Sequence, residues 1–207
     1  MAEITTIEAL RAHMGDAHEL TQAKITDGLF EEARDFIARA PLIMIATVSK
    51  DGLPTVSPKG DAPGFVAIKD DKTLLIPERP GNRLCHGLTN VIDTGTIGLI
   101  FLIPGQEETL RVTGRAVIKD DADLCARFEA RGKPALLVQE VTIETCFFHC
   151  AKAFKRSQTW NPESWGEPLK ISFGDIIARL AGKKGVTKFA MGKAVDLSVK
   201  ADYKTNL

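Results

Sequence analysis

The sequence predicts a mainly β (α+β) fold, an antiparallel barrel with flanking helices. Two observations carry this expectation. Roughly six or seven short apolar or alternating segments follow one another between residues 42 and 150, a spacing typical of barrels and sandwiches. Helical patterns long enough to serve as crossovers are scarce between them, which argues against a doubly wound α/β sheet. A chain of 207 residues can bury a substantial core, with or without helical additions.

Each element follows in order. Residues 1–20 read as a loose or helical arm. Asp27 is placed to cap a helix through Leu29, Phe30, Ala33, Ile37 and Ala38, which Pro41 ends. Residues 42–49 (LIMIATVS) are short, apolar and partly β-branched, hence a buried strand. Asp51-Gly52 signals a hairpin turn. A second strand starts at Pro54-Thr55-Val56 and becomes irregular over 57–64. Residues 65–68 and 73–76 are short strands around the polar turn 69–72. A Pro/Gly loop (PERPGNRLCHGLTN) leads into a short helix from about Asn82. Residues 94–103 (TGTIGLIFLI) form a buried strand, Pro104-Gly105 a turn, and 110–118 (LRVTGRAVI) a half-exposed alternating strand. A helix is expected over 120–130, then one long strand, or two joined by a bend, over 135–150. Lys152 to Arg156 reads as helix, Ser172 as the cap of a helix over 173–180, and the remainder as surface tail. The organisation is therefore an arm (1–40), a barrel (41–160) and a C-terminal extension packing on it (161–207).

Composition narrows the partners. Lys+Arg and Asp+Glu are 27 each, so the net charge is zero, giving no whole-chain attraction to nucleic acid or anionic membrane. Aromatics are 6%, too few for a base-stacking face. The apolar runs fall short of the about 20 residues a membrane span needs. The acidic start lacks a signal-peptide core. Cys85, Cys125, Cys146 and Cys150 form no C-x-x-C pair, which predicts free thiols in a reducing, cytoplasmic setting.

Two segments concentrate anion-binding chemistry. Ser57-Pro58-Lys59-Gly60-Asp61 brings a hydroxyl, an ammonium and a glycine-exposed amide together, the set a phosphate requires. Arg79-Pro80-Gly81-Asn82-Arg83 lies at an expected helix start, where free amides and two guanidinium groups favour an anion. Either segment also reads as a solvated turn. Phosphate-loop, dinucleotide and nucleophile-elbow motifs are missing. Cys85-His86 are neighbours in sequence only. Cys146, His149 and Cys150 resemble a metal cluster, but strand alternation puts His149 on the face opposite both cysteines, so two buried thiols are expected and no metal. Trp160, after the basic Lys152, Lys155 and Arg156, either packs outside the barrel or covers a planar ligand.

The succession IATVSKDGLPTVSPKGD, TLLIPERPGNRL and TIGLIFLIPGQEETLRVTGRAVI resembles the FMN-binding split barrels related to pyridoxamine 5′-phosphate oxidase, over roughly residues 41–160. It is most similar to a bacterial subgroup with S-P-[KR]-G-D and P-G-N-R motifs. The resemblance implies a six-stranded antiparallel split barrel and a homodimer with FMN at the subunit interface. It implies that Ser57, Lys59 and Gly60 line FMN, that Asn82 and Arg83 hold its phosphate, and that Glu78 touches the flavin ring or ribityl chain. Thr109, or Arg111 if the alignment slips, would reach flavin from the other subunit. Lys152, Arg156 and Trp160 would approach from the C-terminal side. The end of the chain, AVDLSVKADYKTNL, lacks the family oxidase's R-L-x-P substrate motif, which argues against vitamin B6 oxidation. The resulting expectation is an FMN-dependent oxidoreductase acting on an unidentified small-molecule substrate or electron donor. Its catalytic acid and base are not legible. The alternatives are a non-catalytic flavin or stress-response module, or a split barrel holding haem or a deazaflavin.

Overall fold

The computed structural model describes residues 3–205, which fall into two compact units. One comprises the chain through Glu78 together with Cys85–Trp160. The other joins Arg79–Leu84 to the residues from Asn161 onward.

The first unit is built on one antiparallel sheet. Its strands are β1 (Leu42–Val48), β2 (Pro54–Gly60), β3 (Ala67–Asp70), β4 (Thr73–Glu78), β5 (Thr96–Leu102), β6 (Thr109–Lys119) and β7 (Leu137–His149). Their order is β2-β1-β5-β6-β7-β4-β3. Seven strands replace the expected six, and the edges β2 and β3 do not pair, so the backbone ladder stays open. The sheet still curls around one core. Ile43 and Ile45 of β1, Leu74 and Ile76 of β4, and Phe101 of β5 belong to a single buried cluster, although β1 and β4 are separated by three strands. The alternation of β1 and β5 puts every second side chain into that cluster.

Helices flank the sheet and contribute to its core to different degrees. α1 (Ile7–Met14) and α2 (Glu19–Ala23) bury no residue. α3 (Glu31–Arg39) buries Ala33, Phe36 and Ile37, three positions of one helical face. Asp27 does not cap it. Thr26 instead exchanges backbone hydrogen bonds with Cys146 at 3.0 and 2.8 Å, which keeps this stretch extended, and the Asp27 carboxylate accepts from Lys72 at 2.6 Å. α4 (His86–Thr94) starts four residues later than expected. Arg83 and Cys85 have φ of 60° and 56°, left-handed values that cannot belong to a right-handed helix. α5 (Ala122–Ala126), much shorter than the expected helix over 120–130, supplies Cys125 to a second cluster with Leu75, Ala135 and Val138.

β2 overturns the expected irregular stretch over 57–64. Its register with β1 is continuous from Val48↔Pro54 to Leu42↔Gly60, so Ser57, Pro58, Lys59 and Gly60 are strand residues. An edge strand tolerates Pro54 and Pro58 because one side of it needs no ladder donor. β7 is a single strand. Thr113 faces Thr145 whereas Gly114 faces Ile143, which leaves Glu144 as a bulge. A Cβ on Gly114 would lie 1.9 Å from the Thr142 carbonyl oxygen, so only glycine fits there.

In the second unit the expected surface tail is a helix. α7 (Phe173–Leu180) is capped by Ser172 as expected, with Oγ accepting from Asp175 N at 3.0 Å. α8 (Gly185–Thr205) packs against it so closely that a Cβ on Gly174 would meet the Gly192 carbonyl at 1.9 Å. Asp196 accepts from Ser172 Oγ at 2.7 Å and Gly174 N at 2.8 Å, locking the pair. Among the described residues no helix is long and apolar enough to cross a membrane.

Gly114→Ala drives a methyl into the β7 backbone at the bulge. Overpacking of this kind costs about 3 kcal/mol or more. Denaturant unfolding should show the midpoint falling accordingly, and an unchanged midpoint would contradict the bulge geometry.

Candidate functional site

The expected site residues fall into four groups. The first is where the two ends of the open sheet meet. Lys59 pairs with Ile43 in register, and Glu78 is in phase with Leu74 and Ile76, so both side chains point to the inner face. The Lys59 ammonium donates to the Glu78 carboxylate. Glu78 is only 5% exposed and also accepts from Gln139 Nε2 at 2.7 Å. Gln139 is 2% exposed, and its Oε1 is buried without a hydrogen-bond partner. Further along β2, Thr55 and Thr47 share a hydrogen bond of 2.9 Å, and Asn90 Nδ2 of α4 donates to both, at 3.1 and 3.0 Å. Ser57 lies between these two polar knots, half-buried. Gly60 ends the strand, where a Cβ would approach the Pro41 carbonyl to 3.3 Å.

Neither Gln139 nor Asn90 was singled out from the sequence. Gln139 had a signal, because it occupies the apolar phase of β7 shared with Val141 and Ile143. A polar side chain in that phase has to find a partner inside the barrel.

The second group is Asn82 and Arg83. They belong to the other compact unit, on an exposed loop rather than at a helix start. Asn82 Oδ1 accepts from Leu84 N at 3.0 Å, a local turn that accompanies the left-handed Arg83. No carboxylate pairs with the Arg83 guanidinium among the described residues.

The third group is Thr109 and Arg111 at the start of β6. Arg111 pairs with Ile100 and Phe147, one residue out of phase with the buried Leu110 and Val112, so it points to the outer face. Within one chain, Lys59 and Arg111 therefore lie on opposite faces of the sheet. The fourth group is Lys152, Arg156 and Trp160. Lys152 and Arg156 project from the exposed α6 (Lys152–Ser157). Trp160 stacks on Phe154 at 5.7 Å and 8°, and its Nε1 donates to the Gln106 carbonyl at 2.8 Å. It thus packs on the turn between β5 and β6, beside a Lys155–Glu107 ion pair of 2.9 Å.

Cys146, His149 and Cys150 do not converge. Cys146 points into the core, where burial pushes its thiol up to about 11. Cys150 lies beyond the end of β7 and is exposed, which corrects the expectation of two buried thiols. The chain leaves the sheet after His149, so strand alternation no longer dictates where Cys150 points. A groove of about 440 Å³ lies elsewhere, between Phe36 and Arg39 of α3 and Ile103, Glu108 and Phe148, and none of the expected site residues lines it.

Comparison with known proteins bears on this arrangement. A family model described as pyridoxamine 5′-phosphate oxidase matches residues 29–150, more than half of the chain. The chain belongs to the pyridoxamine 5′-phosphate oxidase family. The match takes in all seven strands and ends just before α6, so α1, α2 and the α7–α8 pair lie outside it. HupZ of Group A Streptococcus is similar at 24% identity, over 58% of this chain and 93% of that one, with a TM-score of 0.48. An FMN-binding protein from Syntrophomonas wolfei is similar at 15% identity, over 70% and 97%, with a TM-score of 0.46. General Stress Protein 26 from Bacillus anthracis is similar at 15%, over 55% and 88%, with a TM-score of 0.42. No curated protein matches. As in the split barrels that the sequence resembles, the oxidase-family core here is an antiparallel sheet with flanking helices.

The inner-face pair can be tested by stability. Glu78→Ala strands a lysine whose side chain is only 28% exposed, and Lys59→Ala leaves a buried carboxylate with one amide donor. Breaking a buried pair from one side costs about 3 kcal/mol. The double variant Lys59→Met/Glu78→Leu should unfold closer to wild type than either alanine variant, as read by urea denaturation. Additive losses would mean that the two side chains are not coupled.

Proposed function

We propose that the chain is an FMN-binding flavoprotein that acts as a homodimer and carries out oxidoreduction on a small molecule. The carrying observation is the family match over residues 29–150, together with the cationic and hydroxyl donors that β2 turns inward. Ser57 and Lys59 offer a short donor and an ammonium, the chemistry a phosphate or a flavin carbonyl requires. The buried, unpartnered Gln139 Oε1 is an acceptor awaiting a donor. These groups fit a flavin by their chemistry. Asn82 and Arg83 keep their assignment to the FMN phosphate as part of this reading, supported by the unpaired guanidinium.

When bound, the flavin supplies the hydride or electron chemistry. The protein's part is binding and electrostatics. Lys59 is held in place by Glu78, and Glu78 by Gln139, so the ammonium keeps a fixed position instead of sampling rotamers. Its charge is balanced by Glu78, so what it offers a ligand is an oriented N–H donor that needs no reorganisation as charge develops.

A second copy of the chain is part of the reading. Lys59 and Arg111 face opposite sides of one sheet, so a single chain does not present both to one ligand. The outer face also carries Val56 at 67% and Ile100 at 40% exposure, apolar surface of the kind that association covers. Light scattering on the flavin-loaded protein is expected to give twice the mass of one chain, 22.5 kDa.

The deciding measurement is the absorption spectrum of the purified protein, followed by heat release and identification of the chromophore. Flavin bands and released FMN support the proposal. A haem or deazaflavin spectrum, or a colourless protein that does not take up FMN, overturns the cofactor. Arg83→Ala is expected to weaken FMN by about 1.5–3 kcal/mol, the range for a charge-assisted bond. Fluorescence titration with an unchanged Kd would remove Arg83 from the site.

A further inference from the structure

The net charge of zero conceals an asymmetry between the two compact units. Residues 79–84 and 161–207 together hold ten Lys and Arg against five Asp and Glu, a net of +5, and the rest of the chain carries −5. The same small unit holds twelve of the 24 exposed large apolar side chains among the described residues. Cationic and apolar surface thus coincide in a unit too small to bury its own apolar side chains.

Both features converge on the turn that joins α7 to α8. Phe173, Ile176, Ile177 and Leu180 recur at i, i+3, i+4 and i+7, one stripe of α7, and all four are exposed. What α7 buries is the neighbouring stripe, Gly174 and Ala178, with Gly174 against Gly192 of α8. Past the turn, Val186 and Phe189 lie one helical turn apart on α8. Leu180, Val186 and Phe189 are 78%, 83% and 69% exposed, so water covers the apolar side chains on both sides of the turn.

The charges around them are of one sign. Residues 176–195 contain five cations, Arg179, Lys183, Lys184, Lys188 and Lys193, and no carboxylate. None of the four lysines forms an ion pair among the described residues. Asp196 does not neutralise the turn, because Ser172 and Gly174 engage it at the start of α7.

We propose that the α7–α8 turn docks the protein on an anionic phospholipid surface. Leu180, Val186 and Phe189 enter the boundary between headgroups and acyl chains, and Lys183, Lys184 and Lys193 meet the lipid phosphates and carboxylates. Amphipathic helices bind an interface in this way, and long lysine stems let apolar neighbours descend while the ammonium groups stay at headgroup level. The negative potential of such a surface supplies the counter-charge that the turn lacks. A second copy of the same face would bring cations against cations, which charge opposes. Attachment is to the surface alone, since neither helix is long and apolar enough to cross a bilayer. The turn lies outside the family match and does not depend on flavin.

The test is co-sedimentation of the 207-residue chain with vesicles of phosphatidylcholine alone, and of phosphatidylcholine with phosphatidylserine at roughly 3:1. The protein is expected to sediment with the anionic vesicles and to stay in solution with the neutral ones, and binding should weaken as salt rises. Lys183→Gln and Lys184→Gln should each lower partitioning roughly fivefold. Phe189→Ser should lower it roughly tenfold or more. All three positions are exposed, so these variants should melt as wild type does. Phe189→Trp should bind, and brominated acyl chains should quench it beyond the level of the two native tryptophans. Equal partitioning into both vesicles, none into either, or binding unchanged by the lysine substitutions overturns the inference. So does light scattering without lipid in which Phe189→Ser lowers the mass of the assembly, because the stripe is then an interface between copies. None of these readouts involves the chromophore, so this inference and the flavin reading stand or fall separately.

Discussion

The buried carboxylate of Glu78 is the contact on which the barrel unit turns. The backbone ladder runs without a break from β2 to β3 but never closes, so the two ends of the sheet must be joined by side chains. Glu78 does this from β4 by accepting from Lys59 of β2 and from Gln139 of β7 at once. A carboxylate 5% exposed is tolerated only with such partners, since an unpaired buried charge would neutralise or force the structure apart. The Asn90–Thr47–Thr55 knot does related work, with α4 tying β1 to β2. Polar side chains thus take the place of the missing backbone pairing, and they are concentrated where the inner face of β2 offers its donors.

A second constraint comes from the bulge at Glu144. β6 and β7 are the longest strands, at 11 and 13 residues, and long strands must twist and bend to wrap a core. Inserting Glu144 re-aims the strand, and Gly114 supplies the space. The consequence reaches the outer face. Beyond the bulge, Arg111 and Phe147 stay in register, and Phe147 and His149 share one side. Arg111 and the Phe147–His149 stack therefore rest on the same strand geometry that shapes the core.

The segments outside the family match are held in different ways. Residues 24–26 extend the β7 ladder by one bridge and bring Lys24 to the outer face. The α7–α8 pair forms a compact element of its own, held by glycines at its crossing and by Asp196. The bridge at Thr26 and the helix α8 were not legible in the sequence, because they rest on close backbone approach and single hydrogen bonds that leave no hydrophobic period to read, whereas α7 was legible from its Ser172 cap and apolar spacing.

Most strands were legible because β1 and β5 are short apolar runs rich in β-branched residues, because β6 alternates apolar and polar residues, and because turn residues such as Asp51-Gly52 mark where the chain reverses. The family was legible from the order of its motifs. What the sequence could not convey was the state of residues whose local chemistry is ambiguous. Ser57-Pro58-Lys59-Gly60 has the composition of a loop, yet pairing with β1 makes it a strand, since an edge position excuses its prolines. Residues 79–83 look like a helix start, yet left-handed backbone at Arg83 and Cys85 delays the helix to His86. Sequence by itself determined the strands, their polarity pattern and the kinds of donor available. Only the tertiary structure decided that Lys59 meets Glu78 and Gln139 inside the barrel while Arg111 turns to the other face. Those meetings join residues 19 and 61 positions apart, and pairing register, not local propensity, brings them together.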